Sequence, residues 1–366
     1  MRFPEFSGEW NKYTINDLAT VVGGGTPDTT VKSYWGGDIQ WFTPSEIGKN
    51  KYVDFSKRTI TRDGLDNSSA KLLPLHTILL SSRATVGECS IASNECTTNQ
   101  GFQSLIAKQC NIDFLYYLIQ TKKKDLIRNA CGSTFLEISA NEIRKIKVAV
   151  PVQNEQEQIA KLLSLIDERI ATQNKIIEDL KKLKSAISER LFNAIKGDVV
   201  VLEDIGDVVK GKQINGEFLS ESGKYYVMNG GIEPSGFYND YNVEANTISI
   251  SEGGNSCGYV QFNACPFWSG GHCYTIQNTT DNVKTEYLYQ FLKSKESEIM
   301  KLRIGSGLPN IQKKDLAKFK ITIPNISEQK VISAFLSSFE RKADVEMNFV
   351  NLLLEEKQYL LRQMFI

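Results

Sequence analysis

Few side chains in this chain are placed to do covalent chemistry. Only two histidines occur, His76 and His272, and a lone histidine is more often a hydrogen-bonded structural residue than a general base. "GGGTP", Gly23 to Pro27, does not match GxGxxG and opens no clear helix, so it reads as a tight turn rather than a phosphate cradle. No GxxxxGK[ST] run indicates a nucleoside triphosphate site, and no [DN]PP[YFW] run is present to hold a target amino group. Carboxylates are plentiful but scattered. Seven cysteines, an odd number without a CxxC pair, point to reduced thiols rather than disulfides or zinc. The expectation is a protein without catalytic residues, metal or cofactor of its own.

What remains suits binding. Lys122, Lys123, Lys124 and Arg128 precede one Gly-Ser turn at Ser133, and Lys301 and Arg303 precede another at Ser306. Such residues neutralise phosphates. In "SSRATVG", Arg83 stands between Ser82 and Thr85, where its guanidinium can meet a guanine edge or form a surface salt bridge. Asn229, Glu252, Asn255 and Ser256 offer amide, carboxylate and hydroxyl groups to base edges, and equally suit plain turn chemistry. Lys32, Lys212 and Asn310 complete the set of candidate DNA contacts.

The elements that must position these residues are stated twice. "GSTFLEISANEIRKIKVAVP" (132–151) recurs as "GSGLPNIQKKDLAKFKITIP" (305–324), 173 residues later. Both copies run into a strand that alternates apolar residues and stops at a proline, Pro151 and Pro324. Asn154 and Ser327 then stand as N-cap candidates, each followed by Glu-Gln. The windows 122–147 and 295–320 each hold seven Lys/Arg against three Asp/Glu, which reads as matched basic patches or as two solvated faces.

The two helices that follow carry the same 4-3 pattern of inward positions. In the first these are Ile159, Leu163, Ile166, Ile170, Gln173, Ile177, Leu180, Lys184, Ile187 and Leu191. In the second they are Ile332, Leu336, Phe339, Ala343, Glu346, Val350, Leu353, Lys357, Leu360 and Met364. Parallel packing in register would set Lys184 against Lys357, which is costly in a desolvated seam, so an antiparallel coiled coil is expected. Gln173 and Glu346 would then meet near its centre and fix register. Compact domains usually keep their ends close, which puts residues 1–152 at one end of the coil and 198–325 at the other.

Further anchors mark the start of each half. "INDLATVVGGGTP" aligns with "LEDIGDVVKGKQI" when Leu18 is matched with Ile205, and "TILLSSRATVGE" from Thr77 aligns with "TISISEGGNSCGY" from Thr247. Between these anchors the halves differ. The predicted order is an α+β domain (1–152), a long helix (153–197), a second α+β domain (198–325) and a second long helix (326–366), and 366 residues suffice for more than one core. Net charge is zero, so any polyanion site must be local. No run of about 18 apolar residues and no signal-peptide order is present, which predicts a cytoplasmic protein with no membrane contact.

Taken together, "GGGTPDTTVKSYWGGDIQWFTPSEIG", "SSRATVG", "NQGFQSL", the Gly-Ser turns and the paired helices resemble the specificity subunit of type I restriction-modification systems. The resemblance covers essentially the whole chain, except that the second half lacks the "GGTP...YWGGDI" string. It implies two target-recognition domains, each reading half of a bipartite site in double-stranded DNA, held by an antiparallel helical pair. It also implies docking of two modification subunits, which carry S-adenosylmethionine, and of restriction subunits, which use ATP and Mg. A pseudo-twofold frame explains the repeat, since two like partners then bind equivalently. A helix over 159–191 is roughly 50 Å long, against about 34 Å for one DNA turn. Two other readings stay open: a coiled-coil protein-binding scaffold without DNA contact, and a self-contained methyltransferase.

Overall fold

The computed structural model describes residues 2–132, 136–305, 307 and 309–365. It divides into two compact units, unit 1 (Met1–Asn174 with Asn348–Ile366) and unit 2 (Lys175–Met347).

Unit 1 contains β1 (Asn11–Thr14), α1 (Ile15–Leu18), β2 (Ala19–Gly23), β3 (Trp35–Phe42), β4 (Tyr52–Val53), β5 (Arg58–Ile60), α2 (Arg62–Asp66), β6 (Ile78–Leu80), β7 (Cys89–Ala92), β8 (Cys96–Thr98), β9 (Gln103–Ala107), α3 (Ile112–Thr121), α4 (Lys123–Arg128), α5 (Ala140–Lys145), β10 (Lys147–Val150) and the first part of the long α6 (Gln153–Ala194). Its strands form a five-stranded sheet, β2-β9-β6-β7-β4, a three-stranded sheet, β5-β3-β8, and the antiparallel pair β1-β10. Unit 2 holds the rest of α6, then β11 (Asp198–Val201), β12 (Asp207–Lys210), β13 (Tyr225–Met228), β14 (Gly236–Tyr238), β15 (Thr247–Ser251), β16 (Val260–Asn263), β17 (Trp268–Ser269), β18 (Cys273–Gln277), α7 (Thr285–Ser294), α8 (Glu296–Met300), α9 (Lys313–Ala317), β19 (Lys320–Ile323) and the first part of α10 (Ile326–Met364). Here the sheets are β12-β18-β15-β16, β14-β13-β17 and β11-β19. Both units are α+β, on one plan: a mixed main sheet or its antiparallel counterpart, a small sheet with one parallel pairing (β3 with β8, β13 with β17), and a two-stranded ribbon.

The register of the ribbons aligns the halves residue by residue. Asn11 pairs with Val150, and Asp198 with Ile323. Leu18 therefore corresponds to Ile205; both are buried, and their carbonyls accept equivalent bonds, from Lys108 N and from Thr280 N, each at 2.9 Å. After β2 and β12 the chain passes very close to a neighbouring loop. A Cβ at Gly24 would lie 2.0 Å from the Asn99 carbonyl oxygen, and one at Gly211 would lie 2.2 Å from that of Gly270. That passage is why the "GGGTP" segment needs glycine.

In unit 1 the end of α10 packs antiparallel on the start of α6: Leu353, Leu360 and Met364 share one core with Ile159, Leu163 and Ile166. In unit 2, Leu336 and Ile332 pack with Ile187, Leu191 and Phe192. The remaining inward positions follow suit, with Gln173, Ile177, Ala343, Glu346 and Val350 buried and Ile170, Leu180 and Phe339 partly buried. Lys357 pairs with Asp167 at 2.7 Å in unit 1, and Lys184 with Glu340 at 2.7 Å in unit 2. Each lysine of the repeat meets a carboxylate of the repeat, so within each unit the antiparallel packing neutralises the charge.

The helix caps differ from expectation. α6 begins at Gln153 and α10 at Ile326, so Asn154 and Ser327 lie inside the first turn. The cap of α10 is Asn325, whose Oδ1 accepts from Glu328 N at 3.0 Å, whereas Val152 stands at that place in α6 and uses only its carbonyl. The Glu-Gln dipeptide has another use. Gln156 Nε2 donates to the Pro151 carbonyl at 2.9 Å while its Oε1 accepts from Asn111 N at 3.0 Å. Gln329 repeats this with Pro324 at 2.9 Å and Lys284 N at 2.8 Å. Each buried amide thus ties the start of a long helix to the start of α3 or α7 and satisfies backbone groups that burial would otherwise leave unpaired.

Candidate nucleic-acid interface

In unit 1, three separate stretches of the predicted set come together. The loop after β6 carries Arg83, exposed Thr85 and Ala84 in a left-handed conformation (φ 62°). The segment after α4 lies along it: Arg83 and Cys131 both bridge to Glu137, Ile138 N donates to the Ser82 carbonyl at 2.9 Å, and Ala84 N to that of Leu136 at 3.2 Å. α4 closes the third side, where Lys123 pairs with Glu88 beneath Gly87. Gly87 has a φ of 89°, and a Cβ there would sit 2.8 Å from Lys123 Cγ, so this tight turn needs glycine. Arg83 lies 3.8 Å from the Glu137 carboxylate with both side chains about half exposed, a geometry that contributes little stability and leaves the guanidinium accessible. Lys124 and Arg128 are exposed, and Lys122 is the half-buried cap residue of α4.

Unit 2 repeats the arrangement with other residues. Gly253 and Ile304 both bridge to Asn310, and Ile311 N donates to the Glu252 carbonyl at 2.8 Å. Asn255, Lys301, Arg303 and Asn310 are exposed around this bridge. Lys212 is exposed and its carbonyl accepts from Trp268 Nε1 at 2.9 Å. Asn229 Oδ1 accepts from His272 N at 3.2 Å, and Ser256 Oγ donates to the Gly230 carbonyl, so these two serve turn chemistry. Lys32 is exposed at the start of a 3-10 turn, Lys32–Tyr34, just before β3. Ser133 and Ser306 lie outside the described residues.

Two of the expected DNA contacts are instead interior. Ser82 is fully buried, and Glu252, 8% exposed, is held by Lys210 Nζ at 2.6 Å and Tyr274 OH at 3.1 Å. The reason is common to both: each sits at the end of a central strand where a described stretch, 136–138 or 310–311, runs alongside and hydrogen-bonds to its carbonyl, so neither side chain faces solvent.

Sequence reading missed the partners Glu137 and Glu88, and it missed a stack in the small sheet of unit 1. There the Arg58 guanidinium lies 3.6 Å from the centre of the Trp35 ring, which meets Trp41 edge-on at 5.0 Å. Unit 2 has Tyr238 edge-on to Trp268 at 5.3 Å in its small sheet. The "YWGGDIQWF" string, with two tryptophans in one strand, held that signal. Burial pushes the thiols of Cys89, Cys96 and Cys110 up to about 12 and that of Cys273 up to about 11, so none is a thiolate nucleophile at neutral pH. No helix among the described residues is long and apolar enough to cross a membrane.

Comparisons with known proteins agree with this architecture. Residues 7–182 and 196–353 match the model of the type I restriction modification DNA specificity domain. The chain is 31% identical over 362 residues to the type I restriction enzyme MjaIX specificity subunit of Methanocaldococcus jannaschii, covering 86% of this chain and 83% of that protein. It is 23% identical to the putative type I specificity subunit S.MgeORF438P of Mycoplasma genitalium, over 74% of each. Among solved structures, the type I restriction-modification S subunit from M. genitalium superposes with a TM-score of 0.64 at 20% identity, covering 100% of this chain and 99% of that one. A chain from a type I R-M system studied for complex assembly and conformational transition gives 0.62 at 14% identity, covering 98% of each. This chain, with two copies of one α+β frame on paired helices, belongs to the type I restriction-modification DNA specificity family and is a DNA-recognition subunit rather than an enzyme.

Proposed function

We propose that each unit reads one half of a bipartite site in double-stranded DNA, through the loop at the end of its central strand, the adjoining Gly-Ser segment and the basic residues beside them. One observation carries this reading: the frame is repeated down to individual hydrogen bonds, while the residues mounted at its strand ends differ, Ser82-Arg83-Ala84 in unit 1 against Glu252-Gly253-Gly254 in unit 2. A duplicated support under unlike tips suits a split, asymmetric target. Lys124, Arg128, Lys301 and Arg303 anchor phosphates, and Arg83 reads a guanine edge.

The helices serve partners. In unit 1 they expose Leu165, Leu352 and Tyr359, and in unit 2 Leu183 and Val345, each at least half exposed. Such apolar residues on a helix face suit docking of another protein, here one modification subunit per repeat, two in all, with restriction subunits joining in the full assembly. S-adenosylmethionine, ATP and Mg belong to those partners, and the complex works in the cytoplasm.

The test is DNA binding by the chain with its modification partner across a salt series. Affinity for a split sequence should fall steeply as salt rises, since phosphate contacts release counterions. Binding to partner protein with no salt-sensitive DNA affinity would favour a protein-binding scaffold instead. Four residues inserted into α6 should widen the gap between the recognised half-sites, and an unchanged gap would remove the helices as the ruler.

A further inference from the structure

One break in the repeat lies beside the start of each long helix. In unit 1, residues 2–10 cover the first turns of α6. Arg2 grips Glu155 with two bonds of 2.6 and 2.7 Å, Trp10 Nε1 donates to the same carboxylate at 3.3 Å, and Phe3 packs on the core. Trp10 also meets Phe114 and Phe365 edge-on at 6.1 and 6.3 Å. Under this cover Glu155 is fully buried and Ile159 is 1% exposed.

In unit 2 the corresponding residues are Glu328 and Ile332, and no described residue repeats the contacts of Arg2 and Trp10 there. Phe192 repeats Phe365 by packing against Tyr287, which repeats Phe114, at 5.9 Å. The position of Trp10, however, is held by Gly197, where a Cβ would lie 2.3 Å from the Ile323 carbonyl oxygen. Glu328 is therefore exposed, Val331 is 69% exposed, and Ile195, Ser327, Glu328, Val331 and Ile332 line an open groove of about 380 Å3. That volume is enough for one or two large side chains.

We propose that this groove in unit 2 is a docking site for an extended segment of a partner chain that carries an arginine or lysine beside an aromatic residue. The aromatic ring fills the space over Ile332 and Ile195, and the cation pairs with Glu328, as Arg2 and Trp10 do on Glu155 in unit 1. The chain's own covering segment is the evidence for that chemistry, because it occupies the matching groove and makes both contacts there. The consequence is directional: two otherwise equivalent halves become distinguishable to a partner.

The probe is a fluorescent synthetic peptide of residues 1–12, titrated into the full-length chain without DNA. Saturable one-site binding is expected, weakened at least tenfold by Glu328→Lys and by Val331→Asp, both surface changes that leave the core intact. A peptide carrying Arg2→Glu should bind the wild-type chain poorly and recover on Glu328→Lys. Absence of saturable binding, or binding indifferent to both substitutions, would overturn the assignment. Concentration-dependent self-association lost in Glu328→Lys would give the groove to a second copy and overturn the partner segment.

Discussion

Unit 1 and unit 2 are alike where their sheet domains join the long helices and unlike at their strand ends. In unit 1, Tyr117 OH donates to Asp167 at 2.7 Å, and Asp167 pairs with Lys357. In unit 2, Gln290 Nε2 donates to Glu340 at 3.1 Å, and Glu340 pairs with Lys184. Even with different donors, the junction between sheet domain and helices keeps its charge pattern. At the strand ends the loops share a backbone bridge but almost no side chains. The repeated frame is constrained by packing and charge pairing. The tips are constrained only by the backbone bridge beneath them, and so are free to differ in what they read.

The largest effects that would break this comparison lie in the core. Leu163 and Leu336 are equivalent and both fully buried, so Leu163→Ala and Leu336→Ala should each cost about 2–5 kcal/mol. Hydrogen exchange should report the loss in unit 1 for the first and in unit 2 for the second; a loss confined to the same unit for both would break the equivalence. Next come the staples. Gln156→Ala and Gln329→Ala leave buried backbone groups unpaired and should cost about 1–3 kcal/mol each, with faster exchange of the Asn111 and Lys284 amides respectively.

The lysine pairs sharpen the comparison, because they are alike in kind but unequal in burial. Lys357 and Asp167 are 15% and 18% exposed, against 16% and 35% for Lys184 and Glu340. Replacing either lysine by methionine strands a partly enclosed carboxylate, at about 1–2 kcal/mol after allowance for solvent screening. Thermal denaturation should show the larger loss for Lys357→Met, and the reverse order would mean that burial does not set the cost. Smallest in stability is Arg83→Ala, expected within about 0.5 kcal/mol of wild type because its ion pair is exposed. It should still relax discrimination at one position of one half-site by about 1–3 kcal/mol in competition binding.

Much of the frame was legible because it is written twice. The 4-3 pattern gave both helices their inward faces, and matching Leu18 with Ile205 agrees with the ribbon register. What stayed hidden depends on which surfaces meet. Gln156 and Gln329 looked like ordinary first-turn residues behind the expected caps Asn154 and Ser327, since nothing local says that a helix start lies beside α3 or α7. Lys184 and Lys357 looked like a repulsion to be avoided because their partners, Asp167 and Glu340, sit off the inward stripe. Ser82 and Glu252 looked like exposed DNA contacts because burial of a strand end is decided by a segment more than fifty residues away in the chain. The basic residues around Arg83 and Arg303 could be collected from composition, but the bridge that brings them beside the strand ends is a tertiary event.

The most direct measurement is a map of methylated DNA in cells that carry this chain and its modification partners, compared with cells in which residues 11–150 are replaced by the matching segment of a related subunit. One half of the methylated motif should change, with the other half and the gap preserved. Simultaneous alteration of both halves would contradict independent reading by the two units.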